Sequence, residues 1–263
     1  MRRIRLTVAY DGTNYVGWQV QPNGVSIEEV LNRELSRMLK EKITVIGASR
    51  TDSGVHALGN ICVFDTESRI PGDKFKFAIN ESLPPDIVVQ ESEEVPLNYH
   101  PRKVRSIKTY EYRILNRVLP DPTKRLDSYF FYYPLDVEKM REAAAVLLGE
   151  HDFRSFCNIH ASVKTTVRRI LSLSITKEGD MITVRIVGNG FLYNQVRIIV
   201  GTLVKIGCGL WPVSKMQEAL LACDRSAAGP TAPAKGLTLI SIVEQADGAS
   251  DEEESDEDHI EPR

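Results

Sequence analysis

The sequence predicts an α+β fold of two successive units, residues 1–104 and 105–245, each an antiparallel sheet with helices on one face, followed by an acidic tail at 246–263. Three observations carry this. Segments alternating apolar and polar residues interleave with segments of helical period in both halves. TVRRILSLSIT (166–176) and MITVRIV (181–187) read as a strand pair turning at KEGD. The last stretch, ADGASDEEESDEDHIEPR, holds nine acidic residues and one basic, with too few apolar side chains to offset the entropy of ordering.

In order, Ile4, Leu6, Val8 and Tyr10 alternate with polar or small residues and mark a first strand. A helix starts at Ser26, which forms a capping box with Glu29, and buries Ile27, Val30, Leu31, Leu35, Met38 and Leu39 along one face. KITVI (42–46) and NICVFDT (60–66) read as strands. DKFKFAINESL (73–83) reads as a helix and DIVVQE (86–91) as a strand. In the second half, IKTYEYRIL (107–115) is a strand with Lys108, Tyr110, Tyr112 and Ile114 on one face. Asp136 caps a helix running through MREAAAVLLGE. After the strand pair come helices near 193–206 and over VSKMQEALLACD, then a last strand, LTLISIVE. Two such units can hold a substrate in the cleft between their sheets.

Composition narrows the function classes. With 263 residues, 42% hydrophobic and 26% charged, the chain supports a proper core. No apolar run approaches the roughly 18 to 20 residues that span a bilayer. MRRIRLTVAY alternates too strictly for a signal peptide, so no membrane partner and a cytoplasmic location are expected. Cys62, Cys157, Cys208 and Cys223 form no CxxC, and His151, Cys157 and His160 fit no metal-ligand spacing, so neither a disulfide framework nor a metal is expected. The formal charge of −3 splits into −8 on 246–263 and +5 on residues 1–245, and a mildly basic body suits a polyanionic partner. The tail is either a solvated extension or an acidic mimic competing with nucleic acid for that body.

Four stretches can carry chemistry. In GASRTDSGVHA, Asp52 stands beside a glycine-containing turn, where aspartate is common for conformational reasons alone. Yet Arg50 lies two residues away, able to hold a carboxylate ionised or position a phosphate, and His56 on the same loop is a candidate base. HPRKVRSIKTYEYR interleaves basic residues with aromatics, which suits phosphate contacts plus base stacking, though a solvated strand edge reads the same way. In GNGFLYNQVRIIVGTL, Arg197 sits at the edge of an apolar helical stripe and either snorkels or needs a partner, Asp52 being the attractive one. AAGPTAPAKGLTLISI is either a plain loop or one that sets Lys235, Leu237 and Leu239 beside a ligand. Neither it nor GNG has nucleotide-fingerprint spacing.

Taken in order, YDGTNYVGWQVQPNGVSIE, GASRTDSGVHA, KTYEYRI, HDFRSF, GFLYNQVRIIVG and GPTAPAKGL resemble the TruA family of tRNA pseudouridine synthases over nearly the whole body, leaving out the tail. The resemblance implies two ferredoxin-like (RRM-like) domains whose antiparallel sheets meet across a central catalytic cleft. It implies a homodimer without metal or cofactor, and uridines at about positions 38 to 40 of the tRNA anticodon stem-loop as substrates. Residue by residue, Asp52 matches the family's catalytic aspartate, Arg50 the arginine associated with flipping the target base, and Tyr110 the tyrosine that stacks on the uracil. Arg197 matches the arginine that pairs with the aspartate, and Arg102 falls where the family has a tRNA-contacting arginine. A further such arginine is displaced, because Ile70 falls at its place and Arg69 stands beside it.

Pseudouridine formation breaks the bond between uracil N1 and ribose C1′, rotates the base and rejoins it through C5. An ionised carboxylate begins that cleavage as nucleophile or as base. Arg197 is expected to lower the Asp52 pKa and keep it charged. Two other readings stand beside this one. A hydrolase using Asp52 would release free uracil, but no paired carboxylate is evident as its general acid. A non-catalytic RNA-binding module would bind uridines without changing them.

Overall fold

The computed structural model describes residues 1–158 and 163–245. His160 and the acidic tail lie outside them, so the expectations placed there are not addressed by the fold. The first half runs β1 (Arg2–Tyr10), α1 (Ile27–Leu39), β2 (Ile46–Gly47), β3 (His56–Thr66), α2 (Phe75–Asn80) and β4 (Ile87–Val95). The second runs β5 (Ser106–Asn116), β6 (Tyr129–Phe131), α3 (Val137–Ala145), β7 (Gly149–Asp152), β8 (Val167–Glu178), β9 (Met181–Gly188), α4 (Gln195–Gly207), α5 (Lys215–Ala222) and β10 (Leu237–Glu244).

Local signals in the sequence are realised where local chemistry suffices. Ile4, Leu6, Val8 and Tyr10 are buried along β1 while their neighbours are partly exposed. The Ser26 side chain accepts from the Glu29 N–H at 3.2 Å, and Glu28 and Glu29 place negative charge on the first turn of α1. The Asp136 carboxylate caps α3 through the Lys139 N–H.

Three segments differ from the sequence-based expectation. Residues 42–45 are not a strand. The Ile43 N–H donates to Ser36 Oγ at 2.9 Å and the Val45 N–H to Asn32 Oδ1 at 2.7 Å, so side chains of α1 satisfy this backbone in place of a sheet ladder. The helix expected over 73–83 splits into a 3₁₀ turn, Gly72–Lys74, and the short α2. The helix after Asp136 stops at Ala145, because Gly149–Asp152 pairs with β8.

The expected pair of sheets is one continuous sheet, in the order β4-β1-β3-β10-β5-β9-β8-β7, with β2 on β3 and β6 on β5. The halves join through β10, which runs antiparallel to β5 and pairs in parallel with β3 at Thr238↔His56 and Leu239↔Ala57. Helix α1 packs on α2, while α3, α4 and α5 pack on one another and onto β8 and β5. A single hydrophobic core runs through both halves, from Leu6 and Phe64 to Tyr112 and Ile199. Among the described residues no helix is long and apolar enough to cross a membrane.

Candidate active site

A cleft of ≈ 690 Å³ opens where the halves meet, lined by the loop from Ala48 to Ser53, by Lys108 and Tyr110 of β5, and by the start of α4. The loop belongs to the first half and is strapped down by the segment that follows β1. The Trp18 N–H donates to Thr51 O at 3.1 Å, the Gly54 N–H donates to Tyr15 O at 3.2 Å, and Thr51 Oγ1 lies 2.7 Å from Tyr10 Oη. Asn60, fully buried on β3, donates to Ser49 O at 3.0 Å and to Tyr10 Oη at 3.2 Å. Gly17 makes the strapping possible. Its φ is +107°, and a Cβ there would sit 2.6 Å from Thr51 O.

The second half supplies Arg197, in the first turn of α4. Its Nη1 donates to Asp52 Oδ2 at 3.0 Å and to Asn194 Oδ1 at 2.9 Å, and its Nε donates to Ala232 O at 2.8 Å. Ala232 belongs to the GPTAPAKGL loop, which lies directly on the helix. A Cβ at Gly201 would fall 1.8 Å from Pro230 O, so only glycine admits this approach. The guanidinium is thereby fixed by two neutral acceptors and aimed at one carboxylate.

Asp52 and Arg197 are both largely buried, with side chains 15% and 17% exposed. Burial lifts the Asp52 carboxyl above the ordinary aspartate value, and the Arg197 charge and hydrogen bond pull it back only in part. Arg197 thus lowers the Asp52 pKa as expected, but the lowering is outweighed. The guanidinium acts in the expected direction, but desolvation by both halves of the molecule is the larger effect.

The other expected site residues gather around this pair. Tyr110 is 7% exposed, its Oη lies 3.0 Å from Ser49 Oγ, and its ring meets Phe191 edge to face with centroids 5.2 Å apart. Burial pushes its phenol up to about 12, so it is neutral across the physiological range. Arg50 is exposed at the cleft rim. Arg102 also lines the cleft and donates through Nε to Gly47 O at 2.9 Å. Ser49, Phe191 and Asn194 escaped the sequence reading, since hydroxyl, aromatic and αL asparagine positions gain their partners only on folding.

Several candidates fall outside. The His56 ring accepts from the Gly12 N–H at Nδ1 and lies 2.9 Å from Leu126 O and 3.2 Å from Lys235 O at Nε2, so it ties the halves together away from the cleft lining. Of the last loop and strand, Leu237 lines the cleft while Leu239 is fully buried in the core. Ile70 packs on the core and Arg69 is exposed outside the cleft. A second cavity of ≈ 670 Å³, bordered by Arg154, Cys157 and Arg225, contains none of the expected site residues. His151 Nε2 lies 2.8 Å from Leu148 O, and no group of three or more potential metal ligands occurs among the described residues.

A family model described as tRNA pseudouridine synthase matches residues 6–102 and 143–243, spans that take in Asp52 and Arg197. The tRNA pseudouridine synthase A of Brevibacillus brevis is 46% identical over 243 residues, covering 92% of this chain and 100% of that one. The enzyme of the same name from Ruminiclostridium cellulolyticum is 47% identical over 243 residues, covering 92% and 99%. That of Acetivibrio thermocellus is 44% identical over 242 residues. Among solved structures, a chain of a Cbf5-Nop10-Gar1 complex aligns at 12% identity and a TM-score of 0.36, over 90% of this chain and 47% of that one, too slight a likeness to argue from. Agreement at this identity along nearly the whole body places the chain in the TruA family of tRNA pseudouridine synthases, enzymes that isomerise uridine.

Proposed function

We propose that the chain isomerises uridine to pseudouridine at about positions 38 to 40 of the tRNA anticodon stem-loop, with Asp52 as catalytic nucleophile. The observation that carries this reading is the Asp52–Arg197 pair, 3.0 Å apart in a cleft bordered by basic and aromatic side chains. A largely desolvated carboxylate with one fixed cation is a strong nucleophile that needs little reorganisation when charge shifts.

The reaction is a rearrangement within one nucleotide. The N1–C1′ bond breaks, the uracil turns, C5 bonds to C1′, and the proton on C5 leaves while one is gained at N1. Attack on the base and action at the ribose both begin from ionised Asp52 held by Arg197. Tyr110, in its neutral form, stacks on the detached uracil and keeps it from leaving, a contact worth roughly 1 to 3 kcal/mol. Arg50 at the rim fills the gap left by the extruded nucleotide and lowers the unstacking cost. Arg102 contacts the RNA backbone.

The same reading takes each half as a ferredoxin-like domain, 1–104 and 105–245. Supporting it, each half orders four strands alike, β4-β1-β3-β2 in the first and β10-β5-β9-β8 in the second, with helices in the crossovers. It also takes the protein to be a homodimer working without metal or cofactor, as the family resemblance implies, and to work in the cytoplasm, as the sequence-based expectation has it.

The test maps pseudouridine by position in unmodified tRNA after incubation with wild type and with Asp52→Asn. Product near positions 38 to 40 with wild type alone is expected. Product from a folded Asp52→Asn protein would sink the nucleophile assignment, free uracil would mark a hydrolase, and product elsewhere in the tRNA would move the specificity.

A further inference from the structure

Lys108 is a partly buried cation with no anionic partner among the described residues. It stands on β5, two residues from Tyr110 on the same face of the strand, and lines the same cleft. Among the described residues its Nζ has one hydrogen bond, to the neutral Ala48 carbonyl at 3.3 Å. Its cross-strand neighbours are Gly188 on β9 and Ile242 on β10, neither of them acidic. The charges felt most strongly at its ammonium are the guanidiniums of Arg102, from the connection into β5, and of Arg168, on β8. Arg50 and Asp52 line the cleft from the loop side and Arg197 sits behind Asp52, already engaged with that carboxylate.

A lysine ammonium removed from water normally pairs with a carboxylate, because an uncompensated buried charge is costly. Here the one carboxylate lining the cleft among the described residues, Asp52, is engaged by Arg197, and burial together with the two guanidiniums brings the ammonium down to about 8. Such a site is unfavourable for the empty protein and favourable for an incoming anion. RNA supplies one at every nucleotide, and a phosphodiester takes hydrogen bonds from an ammonium readily. The spacing also fits the neighbouring residue. Two positions along a strand separate Lys108 from Tyr110 by roughly 7 Å, so a backbone phosphate at one and a base at the other belong to the same stretch of nucleotide chain.

We infer that Lys108, within the field of Arg102 and Arg168, holds one phosphodiester of the bound RNA and so positions the nucleotide delivered to Tyr110 and Asp52. This rests on the reading of the cleft as the tRNA site, and makes Lys108 a positioning residue. Because the phosphate requires the charged ammonium, binding above about pH 8 takes up a proton and weakens as pH rises.

The experiment measures binding of an unmodified tRNA transcript to Asp52→Asn protein, alone and combined with Lys108→Arg or Lys108→Met, over a salt series on both sides of about pH 8. Lys108→Met is expected to weaken binding about tenfold at low salt and to lower the salt slope by about one. Lys108→Arg is expected to keep the salt slope and abolish the alkaline loss of affinity, since arginine stays charged. In the Asp52-containing enzyme, Lys108→Met raises KM more than it lowers kcat. An unaltered salt slope in a folded Lys108→Met protein, or an alkaline loss that persists in Lys108→Arg, overturns the inference while tRNA binding itself stands. Absence of tRNA binding by the Lys108-containing protein overturns the reading of the cleft together with it.

Discussion

The carboxylate of Asp52 and the guanidinium of Arg197 meet at 3.0 Å although 145 positions separate them in the chain. One comes from a loop of the first half and the other from a helix of the second, so their distance reports how the halves are joined. Since burial outweighs the ion pair at Asp52, the acid limb of kcat/KM is expected above the ordinary aspartate range. Arg197→Met removes the opposing influence and shifts that limb further up, with lower activity at neutral pH. A pH–rate profile of both proteins checks this. For stability the sign is the reverse of a typical ion-paired aspartate. The folded state favours the protonated carboxyl, so stability falls as pH rises from the ordinary aspartate value through the raised one. Urea titrations at several pH values should show that slope in wild type and a flatter one in Asp52→Asn.

Tyr110→Phe keeps the ring and its edge-to-face contact with Phe191 but loses the hydroxyl contact with Ser49. If stacking is its task, kcat stays within a few-fold and stability drops by about 1 kcal/mol. Tyr110→Ala removes the platform and is expected to cost at least tenfold in kcat/KM, equivalent to the roughly 1 to 3 kcal/mol of a base stack. Steady-state kinetics on one tRNA transcript separates the two.

Gly17→Ala tests the strap over the active-site loop. The added methyl meets Thr51 O at 2.6 Å and the backbone is held at φ +107°, so the loop must shift. A stability loss above about 1 kcal/mol is expected, together with a fall in kcat through displacement of Asp52, read from thermal unfolding and single-turnover rates.

Deletion of residues 246–263 removes a net charge of −8. Catalysis is expected to persist and tRNA binding to tighten modestly at low salt, with the difference vanishing as salt rises. Equal affinity at every salt concentration would leave the tail a solvated extension and nothing more.

What the sequence made legible follows the range of the interactions. The Ser26 cap, the β1 alternation and the hairpin at 166–187 depend on neighbours a few residues away and were readable. Residues 42–45 were misread because their hydrogen-bond partners, Ser36 and Asn32, sit on a helix whose approach no local pattern encodes. At the site, the family resemblance singled out Asp52, Tyr110, Arg50, Arg102 and Arg197 where the residues alone left each open, and folding brings them to one cleft. The direction of the Asp52 shift was not readable, since it depends on how much protein from both halves surrounds the carboxyl. His56 looked like a candidate base for the converse reason. Its acceptors, Leu126 O and Lys235 O, are distant in sequence, and only they reveal it as a clasp.

The last of the described strands, β10, lies in the middle of the sheet. Until Glu244 has left the ribosome, the facing edges of β3 and β5 have no β10 between them. A nascent chain can complete its first half early, since that half contains its own β1–β3 and β1–β4 ladders. It nevertheless carries an open edge, and Asp52 waits for an arginine whose position depends on the closing strand. The Asp52–Arg197 cleft is therefore complete only once β10 has closed the sheet, and a chain cut before Leu237 is expected to lack it however well its first half has folded.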